Sequence, residues 1–383
     1  MLVASCFMRN PFTPSFGAPP PSLVGRADLV ADFGDALDDG PGAPGRATIY
    51  TGARGVGKTV MLNEAEAQAR SRGWLVISET ATPGLVDRLT GEHLPRLLRE
   101  HGENGGTKRR LSGITAVGIG GVNWITTDSP PPAVSLRHQI EELTDALAEH
   151  ETGLLITVDE IHRKLTDDLR ALGAIVQHAF REERELAFVA AGLPASISDL
   201  LNDDVLTFLR RADRHSLGAV PLDEVAQAIR EPIEGTGRSI ADADCRTAAE
   251  ATNGYPFLIQ LVGYHIWRQN RTESVVSTGD VEVGVAAARR RIGSLVLEPS
   301  LAGISDVDRS FLVAMSQDDG PSRIGQIAVR LGVDGTYASQ YRLRLIDAEL
   351  IASVGHGMLD FTMPYLREYL REHAAALGLP RHS

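Results

Sequence analysis

Apolar positions along this 383-residue chain follow two rhythms. Four short continuous runs read as buried strands: Thr48-Ile49-Tyr50-Thr51, Trp74-Leu75-Val76-Ile77-Ser78, Gly153-Leu154-Leu155-Ile156-Thr157-Val158 and Leu186-Ala187-Phe188-Val189-Ala190-Ala191. They are too short for ordinary helices and apolar on both faces, as strands of a covered parallel sheet are. Between them lie stretches that read as helices: residues 27–37, the run after Thr59, 82–99, 134–149 and 170–183. In the fourth, Leu136, Ile140, Leu143 and Leu147 recur close to helical spacing. Residues 216–220 predict a fifth strand. Strands and helices alternating in this way predict an α/β fold built on a doubly wound parallel sheet. The last block predicts helices over 306–316, 323–331 and 335–349, then a two-stranded wing over 350–361 that turns at Gly355-His356-Gly357.

Two stretches break the rhythm. Residues 1–21 carry Asn10-Pro11-Phe12-Thr13-Pro14 and Pro19-Pro20-Pro21, which cannot continue a helix, and are expected to be an irregular arm. Met8 is a second candidate start site within it. Residues 100–132 carry glycine pairs, Lys108-Arg109-Arg110, Trp124 and Pro130-Pro131-Pro132, and predict a mobile insertion with a β-hairpin. The expected division is therefore an arm over 1–21, an α/β domain over 22–220, a helical unit over 221–300 and a terminal domain over 304–376.

Charge and cysteine usage narrow the class. A net charge of −12 argues against nonspecific coating of nucleic acid or anionic membrane. The two cysteines, Cys6 and Cys245, offer neither a disulfide framework nor metal-ligand spacing, which fits a reducing cytoplasm. No apolar run reaches membrane-spanning length.

The chemistry is carried by two strand ends. After the first strand, Gly52-Ala53-Arg54-Gly55-Val56-Gly57-Lys58-Thr59 fits the phosphate-binding loop, with Val60 continuing into a helix. The glycines let successive backbone N–H groups point at one oxyanion, and the helix aims its N-terminal dipole at the same place. Lys58 supplies positive charge for the terminal phosphates of a nucleotide, and Thr59 a hydroxyl for Mg²⁺. The third strand ends in Asp159-Glu160, where ligands sit in open α/β sheets. Asp159 is expected to orient the metal, and Glu160 to polarise a water for in-line attack on the γ-phosphate. ATP and Mg²⁺ are thus the expected ligands. No Asn-Lys-x-Asp guanine motif appears.

Together these segments resemble the AAA+ ATPases, with the origin-recognition-type initiators and the STAND signalling ATPases as the nearest in pattern. Leu23-Val24-Gly25-Arg26 is similar to their nucleotide-base motif, and Asn253-Gly254-Tyr255-Pro256 to the Gly-x-Pro motif of their helical lid. The last seventy or so residues resemble their winged helix. The resemblance spans roughly residues 21–370. It implies that Gly25 and Arg26 hold the adenine, that residues 221–297 form a lid, and that Pro256 lies near the sugar or phosphates. It also implies a homo-oligomer in which Arg210 or Arg211 serves as an arginine finger.

The sequence departs from the family at Ala190-Ala191-Gly192, where a polar residue usually ends the fourth strand and positions water. Hydrolysis is then slow and ATP acts as a switch. Two roles stay open for the winged helix. Its third helix, with Gln340, Arg342 and Arg344, could read double-stranded DNA. Alternatively the module makes contacts within the chain or with a protein partner. Residues 306–373 carry seven Arg against ten Asp/Glu, a net of −3, and the wing has no Lys or Arg. That is not a basic footprint.

Overall fold

The longest unbroken apolar run, Leu186 to Gly192, lies at the centre of a five-stranded parallel sheet, and each of its residues is buried. The computed structural model describes residues 9–15, 23–101, 135–162, 166–201 and 207–374. Its first elements are α1 (Ala27–Asp38), β1 (Ala47–Thr51), α2 (Lys58–Ser71), β2 (Leu75–Thr80), α3 (Leu85–Arg88), α4 (Leu94–His101) and α5 (Leu136–Ala148). There follow β3 (Leu154–Ile161), α6 (Thr166–Arg181), β4 (Leu186–Gly192), α7 (Pro194–Leu201) and β5 (Asp213–Ser216). The sheet order is β2-β3-β4-β1-β5, with every pairing parallel. Successive strand residues face opposite sides. Tyr50, Leu155 and Val189 enter the core on the side of α1 and α2; Ile49, Ile156 and Phe188 enter the one built by α4, α5 and α6.

Two buried charges tie helices to this sheet. The Arg46 guanidinium donates to the carbonyls of Ala36 and Leu37 (3.1 and 2.7 Å) and pairs with Glu185 at 2.7 Å. It thereby satisfies the end of α1, whose last turn has no basic residue of its own. Glu66 on α2 accepts from the Thr157 hydroxyl of β3 at 2.7 Å, in the buried interior.

A second group of helices follows: α8 (Leu222–Gly235), α9 (Asp242–Glu250), α10 (Pro256–Trp267), α11 (Thr278–Ile292) and α12 (Glu298–Ala302). Two short strands, β6 (Ser239–Ile240) and β7 (Val275–Val276), pair in parallel within it. The chain ends in α13 (Asp306–Ser316), β8 (Ser322–Arg323), α14 (Ile324–Leu331), α15 (Gly335–Asp347), β9 (Ile351–Gly355), β10 (Met358–Phe361) and α16 (Leu366–His373). Its antiparallel sheet has the order β8-β10-β9. Tyr365 fastens this block to the helices before it, donating to the Ala251 carbonyl at 2.5 Å beneath the Arg289 guanidinium.

Several expectations are corrected. The fifth strand is Asp213–Ser216, not 216–220. It is an edge strand paired only with β1, so its side chains are largely polar and the apolar signal is missing. The buried Leu217 and Val220 that drew the prediction belong to the segment after it. The helix expected over 82–99 begins at Leu85 and is interrupted by a π-turn over Leu89–His93. Pro95 has no N–H to continue the α-helical ladder there, and Glu79 of β2 gathers both Arg88 and His93 (2.8 and 2.7 Å). The terminal sheet has a third strand, β8, and is followed by α16, neither of which was expected. The insertion over 100–132, with its hairpin, Trp124 and basic triplet, lies outside the described residues apart from its first two.

Candidate functional site

Segments far apart in sequence meet at the C-terminal ends of β1, β3 and β4, around a cavity of about 530 Å³. That volume suits a nucleotide-sized ligand. Arg54, Gly55, Gly57, Lys58, Thr59 and Val60 line one end. The backbone takes positive φ at Gly55 and Gly57 (73° and 91°), and α2 starts at Lys58, so the loop turns its amides toward the cavity. Lys58 Nζ donates to the carbonyls of Gly52 and Ala53 at 2.6 and 3.0 Å. Its pKa is lowered by burial, against the pull of nearby Glu349, Asp159 and Glu160. Gly52, Ala53 and Val56 form the back of the loop rather than the wall.

The two strand ends converge. Thr59 Oγ1 donates to Asp159 Oδ2 at 2.7 Å, across 100 positions of sequence. The other Asp159 oxygen accepts the Glu160 backbone N–H at 2.8 Å. Glu160 is exposed, with φ 55°, beside a register shift between Val158 and Ile161. A bulge with a non-glycine residue at positive φ is strained, and such strain is concentrated at functional sites.

The departure at the end of β4 has a steric reason. A Cβ added at Gly192 would lie 2.8 Å from the Ile161 carbonyl oxygen and 3.0 Å from Ile197. No side chain fits there, so β4 itself cannot present a polar group. The next polar residue on the wall is Ser196, on α7.

The rest of the wall includes Leu23, Val24, Arg26, Val220, Pro256, Phe257, Ile259 and Gln260, and the Arg26 guanidinium reaches the phosphate loop, 2.8 Å from where a Cβ at Gly57 would stand. Arg26 is buried, donates to the Gly218 carbonyl at 3.2 Å, and has its pKa lowered to about 10 by that burial. Gly25 stands behind it, between two lining residues. Pro256 begins α10 and lies on the wall. Arg210 and Arg211 sit on an exposed turn outside the cavity, Arg210 bonded to the Leu201 carbonyl at 2.6 Å. Gln340, Arg342 and Arg344 lie on α15. Arg344 is paired with Asp308 at 2.7 Å and stacks over Tyr341.

Three contributions escaped the sequence reading. Thr13, Pro14 and Ser15 of the arm line the cavity. They are anchored by Phe12, which is 1% exposed, and by bonds from Asn10 to the Tyr264 carbonyl and from the Thr13 amide to Gln260. A lone Phe between prolines was the available signal. Tyr255 donates to the Arg54 carbonyl at 2.7 Å, so close that a Cβ at Gly55 would lie 2.0 Å from its hydroxyl oxygen. Glu349, between α15 and β9, is buried among the charges of Arg54 and Lys58.

Residues 22–189 match the AAA ATPase domain family. The chain carries an AAA ATPase domain over those residues. Residues 294–370 match a second family, described as Domain of unknown function (DUF8462), which covers the block after the AAA+ domain and its helices. Among solved structures, the Walker-type ATPase of Pyrococcus abyssi is similar at 16% identity and a TM-score of 0.61, covering 91% of this chain and 96% of that one. The ORC2 protein of Aeropyrum pernix, solved as ADPNP-ADP complexes, is similar at 13% identity and a TM-score of 0.60, covering 95% and 97%. These likenesses concern the fold. No curated protein matches the chain.

Proposed function

We propose that this AAA+ ATPase binds Mg·ATP in the cavity and hydrolyses it slowly, its nucleotide state setting the position of the helices and terminal block that close over the site. The bond between Thr59 and Asp159 is the observation that carries the reading: it brings the phosphate loop and the acidic strand end to one point. The Aeropyrum pernix neighbour, solved with ADPNP and ADP, supports an adenine nucleotide. A hydroxyl and a carboxylate oxygen 2.7 Å apart suit Mg²⁺, a hard cation that takes oxygen ligands and keeps phosphates and waters for the remainder. Thr59 and Asp159 would hold it, and when bound it neutralises charge on the phosphates. Lys58 leaves the Gly52 and Ala53 carbonyls to pair with the terminal phosphates, the loop amides hold the β-phosphate, and Glu160 orients the attacking water. Arg26, Gly25 and the arm enclose the base, with Pro256 beside the sugar.

Lys58→Ala abolishes nucleotide binding in a calorimetric titration. Glu160→Gln keeps binding and loses turnover; wild-type turnover in that variant would remove Glu160 from the mechanism.

In this reading Arg210 or Arg211 completes the site of a neighbouring copy, so turnover per chain rises with protein concentration. Duplex DNA under α15 is the weaker alternative, because Arg344 is already committed to Asp308 and the block is acidic. A gel shift that needs ATP and weakens as salt rises would reverse that ranking.

A further inference from the structure

The terminal block sends one carboxylate into the AAA+ domain. Glu349 follows α15 and is 6% exposed. Its backbone takes φ 57°, a conformation that non-glycine residues rarely adopt and that here turns the side chain inward from the end of α15. Both carboxylate oxygens are withdrawn from solvent without a well-formed hydrogen bond, the nearest donor being the Arg54 backbone N–H. The charges around it are those of Lys58 and Arg54 on the phosphate loop, and the Tyr255 phenol of the lid turn lies in its field. A buried, unpaired carboxylate is costly unless opposing charge compensates it. Lys58 and Arg54 offset that cost only in part, and Lys58 is also the group that a terminal phosphate requires.

Resting on the nucleotide reading above, we propose that Glu349 is a specificity residue that makes the closed site prefer a nucleoside diphosphate to a triphosphate. Its carboxylate supplies Lys58 with the negative charge that a γ-phosphate would otherwise bring. A diphosphate leaves that charge balance in place. A triphosphate adds charge beside a carboxylate that no water screens, so Glu349, and with it the segment joining α15 to β9, must withdraw before the triphosphate seats fully. Burial, countered by Lys58 and Arg54, holds the Glu349 carboxyl at about 7, consistent with a group kept in an environment that resists its charge.

The test uses the full chain, titrated calorimetrically in Mg²⁺ buffer at pH 8 with ADP and with the β,γ-imido analogue of ATP. Wild type is expected to bind ADP more tightly than the analogue. Glu349→Gln removes the charge and is expected to tighten the analogue about tenfold while changing ADP less than threefold. Glu349→Asn, which tolerates positive φ, is the second variant should the glutamine form not fold as judged by circular dichroism. A purely structural role would move both affinities together. An unchanged ratio in a folded variant overturns the proposal and leaves nucleotide binding intact. Failure of wild type to bind either ligand removes both readings.

Discussion

Phe12 is the point at which the cavity wall can be taken away without touching the phosphate loop. Its ring is 1% exposed and fills the space above Gly263 of α10, where an added Cβ would lie 2.3 Å from a ring carbon. Truncating a buried Phe to Ala costs about 3–5 kcal/mol. Hydrogen bonds from Asn10 and from the Thr13 amide also hold the arm. At about 0.5–1.5 kcal/mol each they do not offset the ordering of several residues at about 1–2 kcal/mol apiece. Phe12→Ala is therefore expected to release the arm while the sheet and helices stay folded. The melting temperature falls by only a few degrees, because unfolding is local. The cavity loses Thr13, Pro14 and Ser15, and nucleotide affinity drops about tenfold or more, with turnover at saturation little changed. Limited proteolysis should cut within the arm of the variant and not of wild type. Gly263→Val attacks the same contact from the other side and should reproduce the effect. A Phe12→Ala protein with a protected arm and wild-type affinity would refute the reasoning.

Other consequences follow from single side chains. The Glu349 carboxyl, raised to about 7 by burial, makes the nucleotide-free protein most stable below the ordinary carboxylate range and less stable as pH climbs from there through about 7. The loss between pH 5.5 and 8 is on the order of 2 kcal/mol and is read as the difference in melting temperature between those two conditions; Lys58, Arg54 and Tyr255 are the facing groups. Glu349→Gln should flatten that difference, and an equal pH response in both proteins would contradict it. Glu160→Gly relieves a residue at φ 55° and should raise stability by about 1 kcal/mol in thermal melts while abolishing turnover. A less stable protein would show that the side chain, not the backbone, dominates there. Thr157→Val leaves Glu66 without its buried donor and should cost about 1–3 kcal/mol in urea unfolding with no change in nucleotide affinity.

Much of the site was legible because its signals are local. A glycine-rich turn between an apolar strand and a helix is written in consecutive residues, and so is a buried run ending in Asp159-Glu160. The parallel sheet follows from strands that must be covered on both faces. What the sequence hid depends on contacts between distant segments. The edge strand Asp213–Ser216 has no apolar pattern because one side of it meets solvent. Tyr255 and Glu349 acquire their roles only when the helices after β5 and the terminal block fold back over the phosphate loop. Nothing in the few residues around either one marks a partner some 200 or 290 positions earlier. The small end of β4, which looked like a missing catalytic group, is set by the space left between Ile161 and Ile197.

The bond from Asn10 to the Tyr264 carbonyl joins residues 254 positions apart. On a ribosome the arm emerges first and the helix that receives it comes more than two hundred residues later. At roughly 5–20 residues per second, Phe12 waits ten seconds or more without its seat above Gly263. The sheet can assemble in that interval, but the wall of the cavity cannot close. A nascent chain halted before α10 should therefore carry a formed phosphate loop with an open mouth, and leave the Phe12 ring exposed to a chaperone.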